Sequence, residues 1–246
     1  LAALMEGSEI RASHIACRRV QDAYSLRCAP QVHGAVRDVL AESRRTFSIE
    51  LNAATDNPLV FGDEVLSGGN FHGQPVAISL DSMAIALASL AGISERRIDR
   101  LVNPELNEGL PPFLAANPGL ESGLMMLQVT AAALVAECRL LATPASVQSI
   151  TTSGNKEDFV SMGQTAALKL KQSVDNTRRV LAIEAICAAQ ALDFLLPLKP
   201  GPRARQAYDA IRSVVAPLAG DRQLSSDIHR VASAIRSAQL SKPLIW

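Results

Sequence analysis

The sequence lacks a net charge and any cluster of metal ligands. Lys+Arg and Asp+Glu both number 24, so charge gives no reason to expect nucleic acid or an anionic membrane as a partner. No two cysteines form a C-x-x-C pair and the histidines are equally dispersed, so no metal site is predicted. We interpret the cysteines as reduced, partly buried thiols of a cytoplasmic protein: Cys17, Cys28, Cys138 and Cys187.

A signal peptide and an initiator methionine are also lacking. The first residues, LAALMEG, have no basic start and no long apolar run, and we expect the chain to begin inside a longer one. The stretch 75–93 has nearly the length that a bilayer requires, with Asp81 as its single charge. Its serines, and the lack of aromatic residues at its ends, favour a core helix of a soluble bundle over a membrane span.

Sustained alternation of polar and apolar residues is absent, which predicts few strands, while abundant Ala and Leu favour helix. We predict an all-α fold, an elongated bundle of long helices. The proline-rich break near residue 197 divides a helical-core portion with active-site loops, 1–196, from a C-terminal helical tail of the same domain, 197–246. We expect an irregular segment at 10–28, a cap at Ser225, and helices over these ranges: 32–51, 72–101, 122–142, 156–195, 204–218 and 226–238.

Gln21, Tyr24 and Arg27 form the first group of candidate functional residues. At this spacing their side chains can converge on one ligand in a loop or a first helical turn. The planar guanidinium of Arg27 suits a carboxylate, and the phenol of Tyr24 can donate, accept or transfer a proton. From the residues alone, a surface pair or a helix-end contact is the simpler interpretation.

Three further segments are rich in polar or glycine residues. The segment 50–58 fits a capped turn whose side chains bind loop backbone groups. In 67–73, glycines allow a close approach, and Phe71 packs either against an aromatic substrate or against the core. In 153–162, Asn155 is predicted to cap a helix with Glu157 in its first turn, which the helix dipole alone would explain.

Taken together, these segments resemble the histidine/phenylalanine ammonia-lyase family, whose fold is a fumarase-type helical core. The resemblance covers most of residues 7–195 in family order, and the decapeptide RVQDAYSLRC around Tyr24 and Arg27 is its most specific part. It rests on the following stretches: 20–28 with 30–34, 50–58, 69–72, 93–101 with Asn103, 109–111 and 149–162.

The resemblance implies an activity and a cofactor. Enzymes of this family eliminate ammonia from an aromatic L-amino acid by means of methylidene-imidazolone, an electrophile formed autocatalytically from an internal Ala-Ser-Gly. No Ala-Ser-Gly occurs in this chain. Because the family triplet lies upstream of the segment matching 20–28, we expect an N-terminal portion to be missing and the chain to be inactive alone.

Roles for individual residues follow from the same resemblance. Arg27 matches the family arginine that binds the substrate carboxylate, and Gln21 matches a neighbouring polar contact. Tyr24 matches an active-site tyrosine that assists at the β-carbon or the electrophile. Phe71 matches an aromatic residue near the cofactor. Glu157 matches the residue that meets the substrate ring, so we assign Tyr24 and Glu157 as catalytic.

Glu157 favours histidine as the substrate and urocanate as the product. Histidine-specific members have Glu at this position, whereas phenylalanine-specific members have Gln. A carboxylate accepts a hydrogen bond from an imidazole N–H but would be left unpaired against a phenyl ring. Two departures from the usual histidine-type motif, Lys156 for Gln and Phe159 for His, leave phenylalanine or tyrosine ammonia-lyase and aminomutase activities open as alternatives.

The family resemblance also implies an oligomer. Its members are homotetramers whose active sites combine residues from several subunits, and the apolar faces of the longest predicted helices are too broad for a single bundle. We therefore expect a homotetramer that binds an amino acid and neither nucleic acid nor membrane. The alternative outside catalysis is a non-catalytic helical subunit whose partner carries the Ala-Ser-Gly.

Overall fold

A computed structural model describes residues 2–17 and 20–240, and this part of the chain is mostly helical. Arg19, the first residue of the decapeptide, and the last six residues of the predicted tail lie outside it. The α-helices in chain order are α1 (Ala2–Met5), α2 (Glu9–Ser13), α3 (Tyr24–Arg27), α4 (Ala29–Glu50), α5 (Gln74–Val102), α6 (Met125–Leu141), α7 (Gly163–Phe194), α8 (Pro202–Arg212) and α9 (Ser225–Arg236).

A short hairpin is the only sheet within the described ranges. Strands β1 (Leu59–Phe61) and β2 (Glu64–Leu66) pair antiparallel, with Leu59 opposite Leu66. Gly62 begins the two-residue turn between them with φ +62°, a left-handed conformation that tight hairpins require and glycine adopts readily. The predictions of an all-α class and of few strands are confirmed.

The chain divides into two compact units. The first contains Leu1–Ala29, Ala91–Val135 and Thr177–Trp246, and the second contains Pro30–Leu90 and Ala136–Asn176. Helices α5, α6 and α7 each contribute residues to both units. The predicted distinction between a core portion, 1–196, and a tail, 197–246, stays a prediction.

The first unit has an aliphatic core. Ile98, Leu114, Leu124 and Ile183 are fully buried, and burial of such side chains contributes roughly 1.5–3 kcal/mol each. Gly123 lies beside this core with φ +56°, and a Cβ there would stand 2.6 Å from the carbonyl oxygen of Phe113. Only glycine fits that approach, because any side chain would collide with backbone rather than with a movable group.

The second unit packs the first part of α5 near the loop that follows α6. Asp81 is only 4% exposed, and its Oδ2 accepts a 2.7 Å hydrogen bond from the backbone N–H of Ser146. The one charge in the apolar stretch thus has a structural role, since it satisfies a buried loop amide. Ala166 and Leu170 of α7 are buried as well, and their spacing of four residues places them on one face of the helix.

Helix α5 is the one helix in the described residues with the length and apolar composition to cross a membrane. Of its most apolar stretch of 18 residues, 28% is buried within the chain. This chain alone therefore covers only part of a helix that the sequence predicts to be a core helix.

Several local predictions were wrong; helix α8, for example, ends at Arg212 instead of residue 218. The segment 10–28 contains two short helices, α2 and α3, rather than irregular backbone alone. Ser225 is the first residue of α9, and Leu224 takes the N-cap position without a side-chain hydrogen bond. Helix α7 begins at Gly163 instead of residue 156, because left-handed φ angles interrupt the backbone before it, from Ser153 (+52°) to Met162 (+58°).

Candidate active site

Helix α3 brings Tyr24 and Arg27 together on one short turn. Residues three apart on a helix share a face, and the Arg27 guanidinium carbon lies 4.7 Å from the centroid of the Tyr24 ring. Both side chains are exposed, Tyr24 to 70%, so the phenol and the guanidinium remain open to a ligand. Gln21 is exposed in the bend just before this helix.

A partly buried ion pair between Arg97 and Glu184 contacts the backbone of α3. The guanidinium of Arg97 binds both carboxylate oxygens of Glu184, and its Nη1 donates to the carbonyl oxygen of Ser25 at 3.4 Å. Ser94 adds a 2.5 Å hydrogen bond from its hydroxyl to Glu184 Oε2. The turn that carries Tyr24 is therefore linked to α5 and α7 through one arginine.

The amide-rich segment before the hairpin holds the glycine-rich turn that carries Phe71. Asn57 Oδ1 accepts hydrogen bonds from the backbone N–H of Gly68 at 3.0 Å and the hydroxyl of Ser67 at 3.1 Å. Asn70 Nδ2 donates to the carbonyl oxygen of Ala54 at 2.7 Å. The interpretation of 50–58 as a turn whose side chains bind loop groups is confirmed. Phe71, which follows the glycine-rich turn, is 53% exposed and is therefore not a core residue.

Glu157 lies in an extended bridge, not in a helix. Its backbone pairs antiparallel with Thr152, whose N–H donates to the Glu157 carbonyl oxygen at 2.9 Å. The Thr152 hydroxyl donates to Glu157 Oε2 at 2.5 Å. Asn155 has φ +69° and caps no helix, so the prediction that the helix dipole explains Glu157 was wrong. Among the described residues, Thr152 and not Lys156 is the side-chain partner of Glu157.

His72 connects the segment 67–73, which carries Phe71, to the segment 153–162, which carries Glu157. Its ring stacks on Phe159 with centroids 5.9 Å apart and planes 14° from parallel. Its Nε2 lies 2.9 Å from the Phe159 carbonyl oxygen, a geometry that requires Nε2 to carry the proton and donate it. Sequence reasoning identified Phe71 and Glu157 but missed this link, because its partners are 87 residues apart and no spacing rule connects them.

The predicted site residues thus fall into two groups. Gln21, Tyr24 and Arg27 belong to the first compact unit, while Phe71 and Glu157 belong to the second. No group of His, Cys, Asp or Glu that could hold a metal ion is found in residues 2–17 and 20–240.

Solved structures identify the class of fold. The histidine ammonia-lyase of Trypanosoma cruzi matches with a TM-score of 0.87 and 47% sequence identity, over 91% of this chain and 44% of that one. The tyrosine aminomutase of Streptomyces globisporus matches with a TM-score of 0.88 and 41% identity, over 98% of this chain and 50% of that one. The fold is therefore the helical fold of ammonia-lyases and aminomutases.

The family model described as aromatic amino acid lyase matches residues 1–213, and the chain belongs to this family. Histidine ammonia-lyases from Koribacter versatilis (strain Ellin345) and Myxococcus xanthus (strain DK1622) are 58% and 55% identical to it. Each alignment covers 98% of this chain but 49% and 47%, respectively, of the relative. The chain spans about half the length of the curated relatives it matches.

Proposed function

We propose that this chain is the C-terminal part of a cytoplasmic enzyme that eliminates ammonia from L-histidine and releases urocanate. The observation that carries the proposal is the exposed carboxylate of Glu157, held at its bridge by Thr152. It is supported by the chain's similarity, at more than half of aligned positions, to proteins named histidine ammonia-lyase.

A carboxylate at this position selects for an imidazole ring. One oxygen of Glu157 accepts the Thr152 hydroxyl, and the other oxygen of this exposed side chain would accept the N–H of a substrate ring. A phenyl ring offers no donor, so binding it would remove water from a carboxylate without replacing the lost hydrogen bonds. Lys156 and Phe159 do not oppose this choice, because Phe159 packs on His72 and the Glu157 carboxylate bonds to Thr152 rather than to Lys156.

The residues of the first unit are suited to the amino acid end of the substrate. The guanidinium of Arg27 has the geometry for a two-point contact with the substrate carboxylate, with Gln21 as a further polar contact. Tyr24 assists in moving the β-proton, because its exposed phenol lies on the same helical turn as Arg27 and can accept or donate a proton. As the β-proton is removed, its C–H electrons form the C=C bond of the 2-enoic acid, the C–N bond breaks, and the amine leaves as ammonia.

The family cofactor, methylidene-imidazolone, supplies an electrophile for the substrate amine, and it forms from Ala-Ser-Gly in the N-terminal part of the enzyme. The residues present here fit a group supplied by another segment. Phe71 offers an exposed ring, and three residues later Gln74 has a buried Oε1 without a hydrogen-bond partner in the described residues. Phe71 would pack against the group, and this chain without the triplet would be inactive.

The same proposal includes a homotetramer. Helix α5 has apolar side chains on its open surface, among them Ile78 at 51% and Ile85 at 48% exposure. Burying such a surface against other subunits removes it from water. Sedimentation of the complete protein tests this part, and a monomer would contradict it.

The experiment is a substrate panel with the protein of the complete reading frame. Purified protein is incubated with L-histidine, L-phenylalanine or L-tyrosine, and ultraviolet absorbance records formation of each 2-enoic acid. We expect urocanate from histidine, with little product from the other two. Cinnamate or coumarate as the main product, or a β-amino acid instead of ammonia release, would contradict the proposal.

A further inference from the structure

The proposed role of Glu157 requires a side chain that is held in one orientation. Glutamate has three side-chain torsions, and fixing a long side chain costs up to about 2 kcal/mol in lost conformational entropy. An exposed carboxylate that must accept a hydrogen bond from a ring binds more tightly if it is already oriented before the ligand arrives. The structure gives one such orienting contact, the hydroxyl of Thr152 at 2.5 Å.

We propose that Thr152 is a positioning residue that orients the Glu157 carboxylate toward the substrate ring and so sets the preference for imidazole. This inference rests on the proposed function of Glu157 as the ring contact. Thr152 itself touches neither the substrate nor the reacting atoms in this account.

The loop does not need the hydroxyl in order to fold. The Thr152 N–H donates to the Glu157 carbonyl oxygen at 2.9 Å, and the Glu157 N–H donates back at 3.4 Å. The far end of the loop is fixed independently by the Ser149 hydroxyl, which accepts the Val160 N–H at 2.8 Å. These backbone bonds and the Ser149 bond hold the loop. The hydrogen bond between the side chains of Thr152 and Glu157 therefore serves to orient the carboxylate.

The chemical nature of the partner also matters. A lysine or arginine in place of Thr152 would neutralise the carboxylate and compete with a ring N–H for it. A threonine hydroxyl occupies one oxygen with a neutral donor and leaves the negative charge in place. The β-branched side chain has few rotamers, and Thr152 is half-buried, so the hydroxyl is itself held in place.

Two unreactive ligands separate orientation from folding. Imidazolepropionate and phenylpropionate share a carboxylate and a chain length, lack the amine, and differ in the ring. Calorimetric titration of the complete protein measures the dissociation constant of each, so the readout does not depend on turnover. The variants are Thr152→Val, which keeps the shape and removes the donor, and Thr152→Ser, which keeps the donor.

We expect Thr152→Val to weaken the binding of imidazolepropionate about tenfold, because a hydrogen bond to a charged group is lost. The dissociation constant of phenylpropionate should not change. For Thr152→Ser, the dissociation constants of both ligands should stay within about twofold of the wild-type values, because serine keeps the hydroxyl donor. In a Glu157→Gln background, Thr152→Val should have little further effect, because the group it orients is gone.

The possible failures are distinguishable. Equal weakening of both ligands by Thr152→Val would show a general structural role and overturn the inference. Unchanged imidazolepropionate binding in Thr152→Val, alongside a clear loss in Glu157→Gln, would also overturn it while the proposed function stands. A wild-type protein that prefers phenylpropionate would instead contradict the proposed function, and the inference with it.

Discussion

Replacing Arg97 tests how the turn with Tyr24 is held. In Arg97→Met the chain keeps the apolar stem of the side chain but loses the guanidinium. Glu184 then keeps only the hydroxyl of Ser94, and the carbonyl oxygen of Ser25 loses its donor. A half-buried charge without its partner is costly, because neither water nor a cation compensates it.

The magnitude follows from the exposure of the pair. The side chains of Arg97 and Glu184 are 16% and 21% exposed. Breaking a fully buried pair costs roughly 3–5 kcal/mol and an exposed one at most about 1 kcal/mol, so we expect about 2–3 kcal/mol here. Where the amide exchange rate is proportional to the equilibrium constant of local opening, this cost corresponds to about 30- to 150-fold faster exchange.

Hydrogen exchange followed by mass spectrometry measures this effect on the complete protein. Peptides that contain α3 and the parts of α5 and α7 around Arg97 and Glu184 should exchange faster in Arg97→Met. The matched control is Arg45→Met, because Arg45 and Glu42 are 63% and 62% exposed, and an ion pair at the surface contributes little. Equal exchange in the two variants would refute the claim that Arg97 anchors α3.

Three further predictions follow from individual contacts. Asp81→Ala should destabilise the protein by about 2 kcal/mol, because it leaves the buried N–H of Ser146 unpaired, and Asp81→Asn by less; unaltered thermal melting would contradict this. Burial raises the pKa of the Cys187 thiol far above its usual range, so iodoacetamide at pH 9 should label exposed Cys17 and not Cys187, as peptide mass spectrometry would record; equal labelling would contradict it. Arg27→Lys should raise KM about tenfold through loss of the two-point carboxylate contact, and unchanged kinetics would argue against that role.

Much of the helical layout could be predicted from the sequence because strong local signals set the helix ends. Helix α4 begins next to Pro30 and ends before the Asp56-Asn57-Pro58 turn, within a few residues of the prediction. The start of α7 could not be predicted, because Ser153 and Asn155 take left-handed conformations that residues other than glycine rarely adopt. Tertiary contacts of the loop, rather than local propensity, determine that segment.

The candidate site was only partly predictable for a related reason. The proximity of Tyr24 and Arg27 follows from their spacing on one helical turn. The stacking of His72 on Phe159 depends on the fold bringing distant loops together, and nothing local predicts it. The sequence pattern did not identify Thr152 as the partner of Glu157, because the backbone bridge that brings the two side chains together depends on the loop conformation.

The specificity of a Glu157→Gln variant tests the central claim most directly. The measurement is kcat/KM of the complete protein for histidine and for phenylalanine, before and after the substitution. Loss of a charge-assisted hydrogen bond implies a fall of about 10- to 100-fold for histidine, with phenylalanine unchanged or improved. A histidine rate that does not change, or an equal fall for both amino acids, would contradict the role of this carboxylate in reading the ring.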